Sequence, residues 1–175
     1  MKRYLTLSTV TVTTLVMASA ILAKPTPLRV ALRATAPANV GRHITAGPKG
    51  GLILGSKVLT NKEVFTLVDM NGGTLQDGDS VQIQYASGKH PSYWQEDKGK
   101  LHRTGDRPDK TALFKVKWKL RNKSLMLRTP SGKFVSGTAK GKALGTTSKQ
   151  NDPTTVFELI KNPSPVKRPS AAKKP

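Results

Sequence analysis

The sequence contains no cysteine, and it is short of aromatic and acidic residues. Without cysteine the chain forms no disulfide, no thiolate metal site and no thiol nucleophile. Aromatic residues make up 5% of the chain, and its ten acidic residues are outnumbered by 30 lysines and arginines, for a formal net charge of +20. So large a positive charge disfavours basic partners and attracts polyanions or anionic membrane surfaces.

The length of 175 residues indicates one folded domain of roughly 130 to 140 residues, because both ends of the chain contribute little to a core. The chain has 15 glycines and 12 prolines but few aromatic residues. This balance is typical of short strands joined by tight turns rather than of long packed helices.

The two ends have compositions typical of segments outside a folded domain. Lys2 and Arg3 precede an uncharged run that ends at Ala23, which is typical of a signal peptide. We predict a signal peptide at 1–23, cleaved after Ala20 or Ala23, and a secreted or periplasmic protein with no membrane span after its removal; the alternative is an uncleaved anchor. Residues 162–175 hold four prolines and four basic residues, which predicts a disordered basic tail.

Three kinds of landmark occur three times each along the chain. They are the glycines Gly41, Gly88 and Gly132, the Lys-Gly pairs that begin at Lys49, Lys98 and Lys140, and the phenylalanines Phe65, Phe114 and Phe157. Each glycine precedes its phenylalanine by 24, 26 and 25 residues and its lysine by 8, 10 and 8 residues. Each glycine also begins a Gly-(Arg/Lys)-(His/Phe)-x-(Thr/Ser) motif. Landmarks that keep their order and spacing indicate internal repeats, here at about 28–70, 79–119 and 123–161.

Apolar residues around these landmarks follow the alternation of half-buried strands, and they predict the core. The predicted core residues are Val30, Leu32, Leu52, Leu54, Phe65, Leu67, Val81, Ile83, Leu101, Phe114, Val116, Leu125, Leu127, Phe134, Leu144, Phe157 and Leu159. Each unit has four strand candidates, and an open sheet of that size would expose unpaired edges. We therefore predict an all-β fold, a β-trefoil over 28–161 with pseudo-threefold symmetry. The first and last strands of each unit would form a six-stranded barrel, and the middle two would form hairpins that cap one end.

The recurring apolar-x-apolar, Gly-Lys-aromatic, Lys-Gly and Phe-x-Leu elements resemble the fascin-like β-trefoils of the actin-crosslinking superfamily, over about residues 28–161. This resemblance implies the β-trefoil fold and a binding role, toward actin or other ligands. The related ricin-type lectins carry a Gln-x-Trp motif late in each unit. The matching segments here are Glu63-Val64-Phe65, Ala112-Leu113-Phe114 and Thr155-Val156-Phe157, so the sugar-binding form of the motif is missing.

Motifs for catalysis or cofactor binding are absent from the sequence. It has no nucleophile elbow, phosphate-binding loop, dinucleotide fingerprint or His-Glu-x-x-His pair. His43 and His90 occupy the place that Phe134 takes in the third unit, which indicates either a metal site or a flat ring packed under a turn. The equivalence with phenylalanine favours packing, and we predict no enzyme activity, no cofactor and no metal site.

Positive charge is concentrated in the second half of the chain, where residues 98–142 include fourteen lysines and arginines against two aspartates. Within this region residues 114–121 alternate strictly. The apolar members are Phe114, Val116, Trp118 and Leu120, and the basic members are Lys115, Lys117, Lys119 and Arg121. The pattern predicts a barrel strand with a charged outer face in solvent, with ligand binding as an alternative use of that face.

The Lys-Gly pairs supply the candidate binding site. In a trefoil they would lie at the turns of the cap hairpins, so that Lys49, Lys98 and Lys140 form a basic ring, extended by Lys100 and Lys142. The alternative is that these are turn lysines without a ligand. Tyr93 and Trp94 lie in the same hairpin of the second unit, and we expect one ring to pack under the cap and the other to serve as a stacking platform.

Together these features predict an exported, non-catalytic binding protein. The expected ligand is an anionic or carbohydrate polymer, such as an envelope polysaccharide, a glycosaminoglycan or extracellular nucleic acid. The alternative is a fascin-like factor that binds actin or another protein.

Overall fold

The computed structural model describes residues 24–85, 91–104, 108–120 and 123–166. Four sequence predictions lie outside these residues: the signal peptide at 1–23, Gly88 with its ring His90, the outermost basic residue Arg121, and the tail from residue 167 onwards. The short segment 162–166 of the predicted tail is described, and it packs on the domain. Asn162 N donates to Arg29 O at 2.9 Å, Val166 N donates to Leu59 O at 3.0 Å, and Pro163 is buried. The packed region therefore continues five residues beyond the predicted boundary.

The described chain is built from twelve strands and five short helical or turn segments. The strands are β1 Thr26–Ala34, β2 Ile44–Ala46, β3 Leu52–Leu54, β4 Phe65–Asp69, β5 Ser80–Tyr85, β6 Ser92–Asp97, β7 Lys100–Thr104, β8 Phe114–Leu120, β9 Ser124–Arg128, β10 Phe134–Ser136, β11 Gly145–Thr147 and β12 Phe157–Lys161. The 3₁₀ segments are Pro37–Asn39, Pro48–Gly50, Asn61–Glu63, Lys110–Ala112 and Pro153–Thr155. Pro48–Gly50 is a tight turn, because Lys49 has a left-handed backbone with φ 52°.

Six of the strands close into an antiparallel ring. β1 pairs with β4, β4 with β5, β5 with β8, β8 with β9, β9 with β12, and β12 returns to β1. Closure gives each of these strands a partner on both sides, so none of them presents an open edge. The remaining six strands form three antiparallel hairpins, β2–β3, β6–β7 and β10–β11. This six-stranded ring with three hairpins is the arrangement expected of a β-trefoil.

The core residues predicted from the strands around the repeated landmarks are all buried. The largest fully buried side chains are four aromatic ones: Trp94, Phe65, Phe114 and Phe157. The Trp94 ring meets Phe65 and Phe114 edge to face, with centroids 5.0 Å and 6.4 Å apart. This geometry is favourable because the positive edge of one ring faces the negative face of another.

In each third of the chain a polar N-cap residue begins a 3₁₀ turn, five residues before the phenylalanine that starts the closing strand. Thr60 forms a capping box with Glu63, Asp109 Oδ1 accepts a hydrogen bond from Thr111 N at 2.7 Å, and Asp152 Oδ1 accepts one from Thr154 N at 2.9 Å. Hydrogen bonds from the threonine side chains lower the pKa of Asp109 and Asp152. Such caps satisfy the free N–H groups at the start of each 3₁₀ turn and direct the chain into the barrel.

The outer end of β8 departs from the predicted alternation. Phe114 and Val116 are buried as expected, but Trp118 is half-buried and Leu120 is 67% exposed. The register with β9 shifts by one residue between Trp118 and Leu120, as at a β-bulge. A bulge inserts an unpaired residue, so the side chains beyond it no longer follow the same face. The prediction that Leu120 faces the core is therefore wrong.

Candidate basic interface

The three Lys-Gly pairs lie in turns, and two of these turns place lysine in a left-handed backbone conformation. Lys98 and Gly99 have φ values of 47° and 75° and form the two-residue loop between the paired residues Asp97 and Lys100. Asparagine or aspartate before glycine is the preferred pair for such a loop, and lysine adopts this backbone less readily. Lys49 has the same left-handed backbone. The conformation of these turns therefore does not explain why lysine occupies them.

Each turn packs against the next hairpin, so the three turns are linked in a cycle. A Cβ atom on Gly50 would lie 3.2 Å from Arg103 O in the second hairpin. The second turn reaches the third hairpin, because Thr146 N donates to Gly99 O at 3.1 Å. The third turn returns to the first hairpin through Gly141 N, which donates to Leu54 O at 2.8 Å. The three turns consequently belong to one end of the barrel.

Three buried leucines form the centre of this cap. Leu101 N donates to Leu144 O at 3.2 Å, and Leu144 N donates to Leu52 O at 2.7 Å. These backbone contacts hold the hairpins together over an apolar interior. The candidate lysines project from this framework, and all five are exposed: Lys49, Lys98, Lys100, Lys140 and Lys142. The structure thus places the predicted basic residues on three hairpins that contact one another.

The carboxylates of the described chain bond mainly to backbone and hydroxyl groups. Between described residues one ion pair is formed, with Arg33 Nη2 2.5 Å from Glu158 Oε2. The side chains of Glu63, Asp109 and Asp152 cap helical turns, and Asp77 Oδ1 accepts a hydrogen bond from Trp118 N at 2.7 Å. In this part of the chain none of the five candidate lysines is paired with a carboxylate. Their charge is therefore available to a ligand.

Of the two adjacent aromatic residues Tyr93 and Trp94, only Tyr93 is accessible as a stacking platform. Trp94 is 0% exposed and contributes its whole ring to the core, so Trp94 is the ring of the pair that packs and it is not available to a ligand. Side chains alternate between the two faces of a strand, and Trp94 lies on the inner face of β6. Its neighbour Tyr93 points to the other face and is half-buried, in register with Gln84 and Thr104. Only Tyr93 of the pair remains a candidate contact.

His43 is a buried ring packed beside a turn, as its equivalence with Phe134 predicts. It is 4% exposed, and its Nδ1–H donates to Ser56 O at 3.3 Å. The backbone of His43 forms an antiparallel β-bridge with Arg33, and the backbone of Phe134 pairs in the same way with Arg128. Burial lowers the pKa of His43 below its ordinary value of 6.5, and the positive charge of Arg33 acts in the same direction.

The lowered pKa makes the stability of the fold pH-dependent. Below the ordinary pKa of 6.5 the unfolded chain takes up a proton that the folded His43 resists, so the free energy of unfolding should fall as the solution is acidified. Above that pH both states are neutral and His43 contributes no pH dependence. The variant His43→Phe should lose this component. Urea unfolding at about pH 7.5 and about pH 5 measures it, and an unchanged pH dependence in the variant would assign the effect to other groups.

The described residues include neither a cluster of metal-ligating side chains nor a helix that could span a membrane. No three histidine, aspartate or glutamate side chains come together there as a metal site. None of the helical segments in the same ranges has the length and apolar character needed to cross a bilayer.

Comparison with known proteins finds solved structures with a similar fold. A search of curated protein sequences gives no match. A Caenorhabditis elegans protein of unknown function has a similar structure, with a TM-score of 0.57 at 9% identity over 81% of this chain and 98% of that chain. The structure of Cry35Ab1 is also similar, with a TM-score of 0.58 at 16% identity over 85% of this chain and 38% of that chain. At these identities the likeness shows a shared fold alone.

The family model gives the more specific result. The model of the Fascin domain matches residues 49–159, from the turn of the first hairpin to the closing strand β12. This span covers more than half of the sequence and includes all three cap turns. The chain therefore belongs to the Fascin domain family.

Proposed function

We propose that this protein is an exported, non-catalytic binding module that recognises an anionic polysaccharide through the basic cap of a pseudo-threefold β-trefoil. The observation that carries the proposal is the set of five exposed cap lysines on mutually packed hairpins, without carboxylate partners in the described chain. Unpaired lysines on a rigid framework attract a polyanion, and the framework limits the entropy lost on binding.

The proposed symmetry is supported by features that recur at matching positions. The chain pairs in three groups of four strands, each with two barrel strands around one hairpin. The N-cap residues of three 3₁₀ turns, Thr60, Asp109 and Asp152, each lie five residues before a buried phenylalanine. Three turns related in this way would offer a repeating polymer several equivalent contacts.

Two observations favour a polysaccharide over single-stranded nucleic acid. Proteins that bind single strands stack the bases on exposed aromatic rings. In the described chain the large exposed apolar side chains include no aromatic residue, and Trp94 is in the core. Recognition by this surface would depend on charge, which suits a polymer with anionic groups along its chain.

Heparin retention tests the proposal. Replacing Lys49, Lys98 and Lys140 with glutamine should lower the salt concentration of elution from a heparin column markedly, and adding Lys100→Gln and Lys142→Gln should lower it further. The matched control replaces Lys115, Lys117 and Lys119 on β8, which removes the same three charges. The salt concentration of elution should fall less for this control, because the segment that pairs with β8 carries the negative charges of Asp77 and Asp79. Equal losses in the two triple variants would reduce binding to net charge and contradict a cap site.

The family match favours a second candidate, a protein ligand such as actin, as the resemblance to fascin-like trefoils implies. A basic protein sediments with acidic filaments at low salt whatever its function. The informative condition is physiological salt, at which exposed charges more than about 8 Å apart are screened. Sedimentation with filaments that persists there would support the actin candidate, and sedimentation that disappears would support the polysaccharide.

A further inference from the structure

A basic depression lies where the turn of the third hairpin meets the first unit of the chain. It has a volume of about 320 Å³, and its lining includes Arg42, Lys57, Lys140 and Ser56. No carboxylate lines it. Arg42 and Lys57 flank the first hairpin, and Lys140 comes from the turn of the third. Arg42 is the basic second residue of the first Gly-(Arg/Lys) motif, and neither Arg42 nor Lys57 belongs to the five cap lysines.

Local contacts position the segments that carry the three cations. Arg42 Nη1 donates to Gly55 O at 3.3 Å, which uses one of the five N–H donors of the guanidinium. The aliphatic stem of Lys57 lies beside Gly41, where a Cβ atom would be 3.8 Å from Lys57 Cδ. The backbone at Lys140 is held by its β-bridge to Leu54 and by the hydrogen bond from Gly141 N to Leu54 O. The depression is thus a built feature of the fold.

A related depression lies between the turn of the second hairpin and the start of the third unit. Its lining includes Lys98, Lys133 and Glu96. Lys98 corresponds to Lys140, and Lys133 corresponds to Arg42 in the Gly-(Arg/Lys) motif. Here Glu96 accepts hydrogen bonds from Ser131 Oγ at 2.7 Å and Ser131 N at 3.2 Å, and its carboxylate lowers the positive charge of the site. The motif therefore brings a basic residue beside a turn lysine twice, and the site at Arg42 is the more positive one.

We infer that the depression at Arg42, Lys57 and Lys140 binds a terminal tetrahedral oxyanion, a sulfate ester or phosphate monoester, carried by an anionic polysaccharide. The inference rests on the proposed function and specifies its ligand group. Such a group has three terminal oxygens, one for each of the three cations, whereas a carboxylate and a phosphodiester each have two. Arginine suits the role because its planar fork binds oxyanions with two parallel hydrogen bonds.

Dextran polymers that differ only in their anionic group provide the test: dextran sulfate, dextran phosphate and carboxymethyl dextran. At physiological salt the unmodified protein should bind the sulfate or the phosphate polymer at least about tenfold more tightly than the carboxymethyl polymer. Preference for dextran sulfate or for dextran phosphate then identifies which ester is the ligand. Equal affinity for all three polymers would overturn the inference.

The variant Arg42→Gln/Lys57→Gln tests the residues, since neither belongs to the five cap lysines. It should lose about tenfold in affinity for the preferred polymer, and the slope of log affinity against log salt should fall by about two. The control Lys115→Gln/Lys117→Gln removes the same two charges and should lose less, as should Lys133→Gln. Because Arg42 also bonds to Gly55, the variant Lys57→Gln/Lys140→Gln is measured too, together with the unfolding midpoint of each.

Failure of this inference is distinguishable from failure of the proposed function. If both depression variants bind like the unmodified protein while Lys49→Gln/Lys98→Gln/Lys140→Gln does not, the depression is not the site and the cap proposal stands. If that triple variant also binds like the unmodified protein, the proposed function itself is wrong.

Discussion

Replacing Trp94 with alanine should lower the free energy of unfolding by about 3–5 kcal/mol, the range measured for large aromatic residues removed from cores. Trp94 is fully buried and meets Phe65 and Phe114 edge to face. These rings belong to barrel strands β4 and β8, so the indole joins the second hairpin to the barrel. Alanine would leave a cavity between the second hairpin and the barrel, so the packing that joins them would be lost. Urea unfolding followed by circular dichroism measures the loss.

Two further variants make this expectation specific. Trp94→Phe should cost far less than Trp94→Ala, because it keeps an aromatic ring and removes an indole N–H that has no hydrogen-bond partner in the described chain. Tyr93→Ala, one position along the strand, should cost less than Trp94→Ala, since Tyr93 is only half-buried. A Trp94→Ala protein that unfolds at the urea concentration of the unmodified protein would mean that the ring does not fill the core.

The core could be predicted from the sequence because its residues follow a period of two. Phe65 and Leu67, or Val81 and Ile83, are buried while the residues between them are only half-buried, because alternate side chains of a barrel strand face inward. The same rule failed at Leu120, where a bulge between β8 and β9 changes the register. Bulges arise from the pairing of two strands, and the pattern of one strand does not reveal them.

The choice between Tyr93 and Trp94 required the register of the hairpins. Glu96 pairs with Leu101 as Ala46 pairs with Leu52, and this register aligns Trp94 with the buried Ile44. The loop of the first hairpin is one residue longer than that of the second, so counting back from the turn lysines does not align them. Two adjacent aromatic residues on a strand predict that one faces inward, but not which one.

The candidate site could be predicted only in part. The five cap lysines were identifiable because they recur at turns, but Arg42 and Lys57 were not. The signal available for Arg42 was that the second position of the Gly-(Arg/Lys) motif is basic in all three copies. The regular spacing of the motif led us to interpret it only as a feature of the fold. The depression forms where the third hairpin contacts the first unit, and this proximity results from closure of the barrel. Neighbours brought together by closure are distant along the chain.

Gly137 lies at another contact between the third and first units, and replacing it with alanine should cost about 1–3 kcal/mol of stability, the usual penalty for overpacking. A Cβ atom there would lie 2.8 Å from Leu54 Cδ1 and 2.9 Å from Leu54 Cγ. Neither group has room to move. Leu54 is fully buried, Gly137 N donates to Thr154 O at 3.1 Å, and Gly137 O accepts a hydrogen bond from Asn39 Nδ2 at 3.3 Å. Urea unfolding of the variant measures the cost.

A double-mutant cycle with Leu54→Ala identifies the clash as the cause. Leu54→Ala alone should cost about 2–5 kcal/mol because it leaves a cavity. Combined with Gly137→Ala it should cost less than the sum of the two single variants by about 0.5–3 kcal/mol, since the new methyl group occupies part of that cavity. The control Gly145→Ala should be nearly neutral, because a Cβ atom there would meet Gly99 O at an ordinary 3.7 Å. Strict additivity of Gly137→Ala and Leu54→Ala would show that these two residues do not touch, and that the third hairpin packs against the first unit through other contacts.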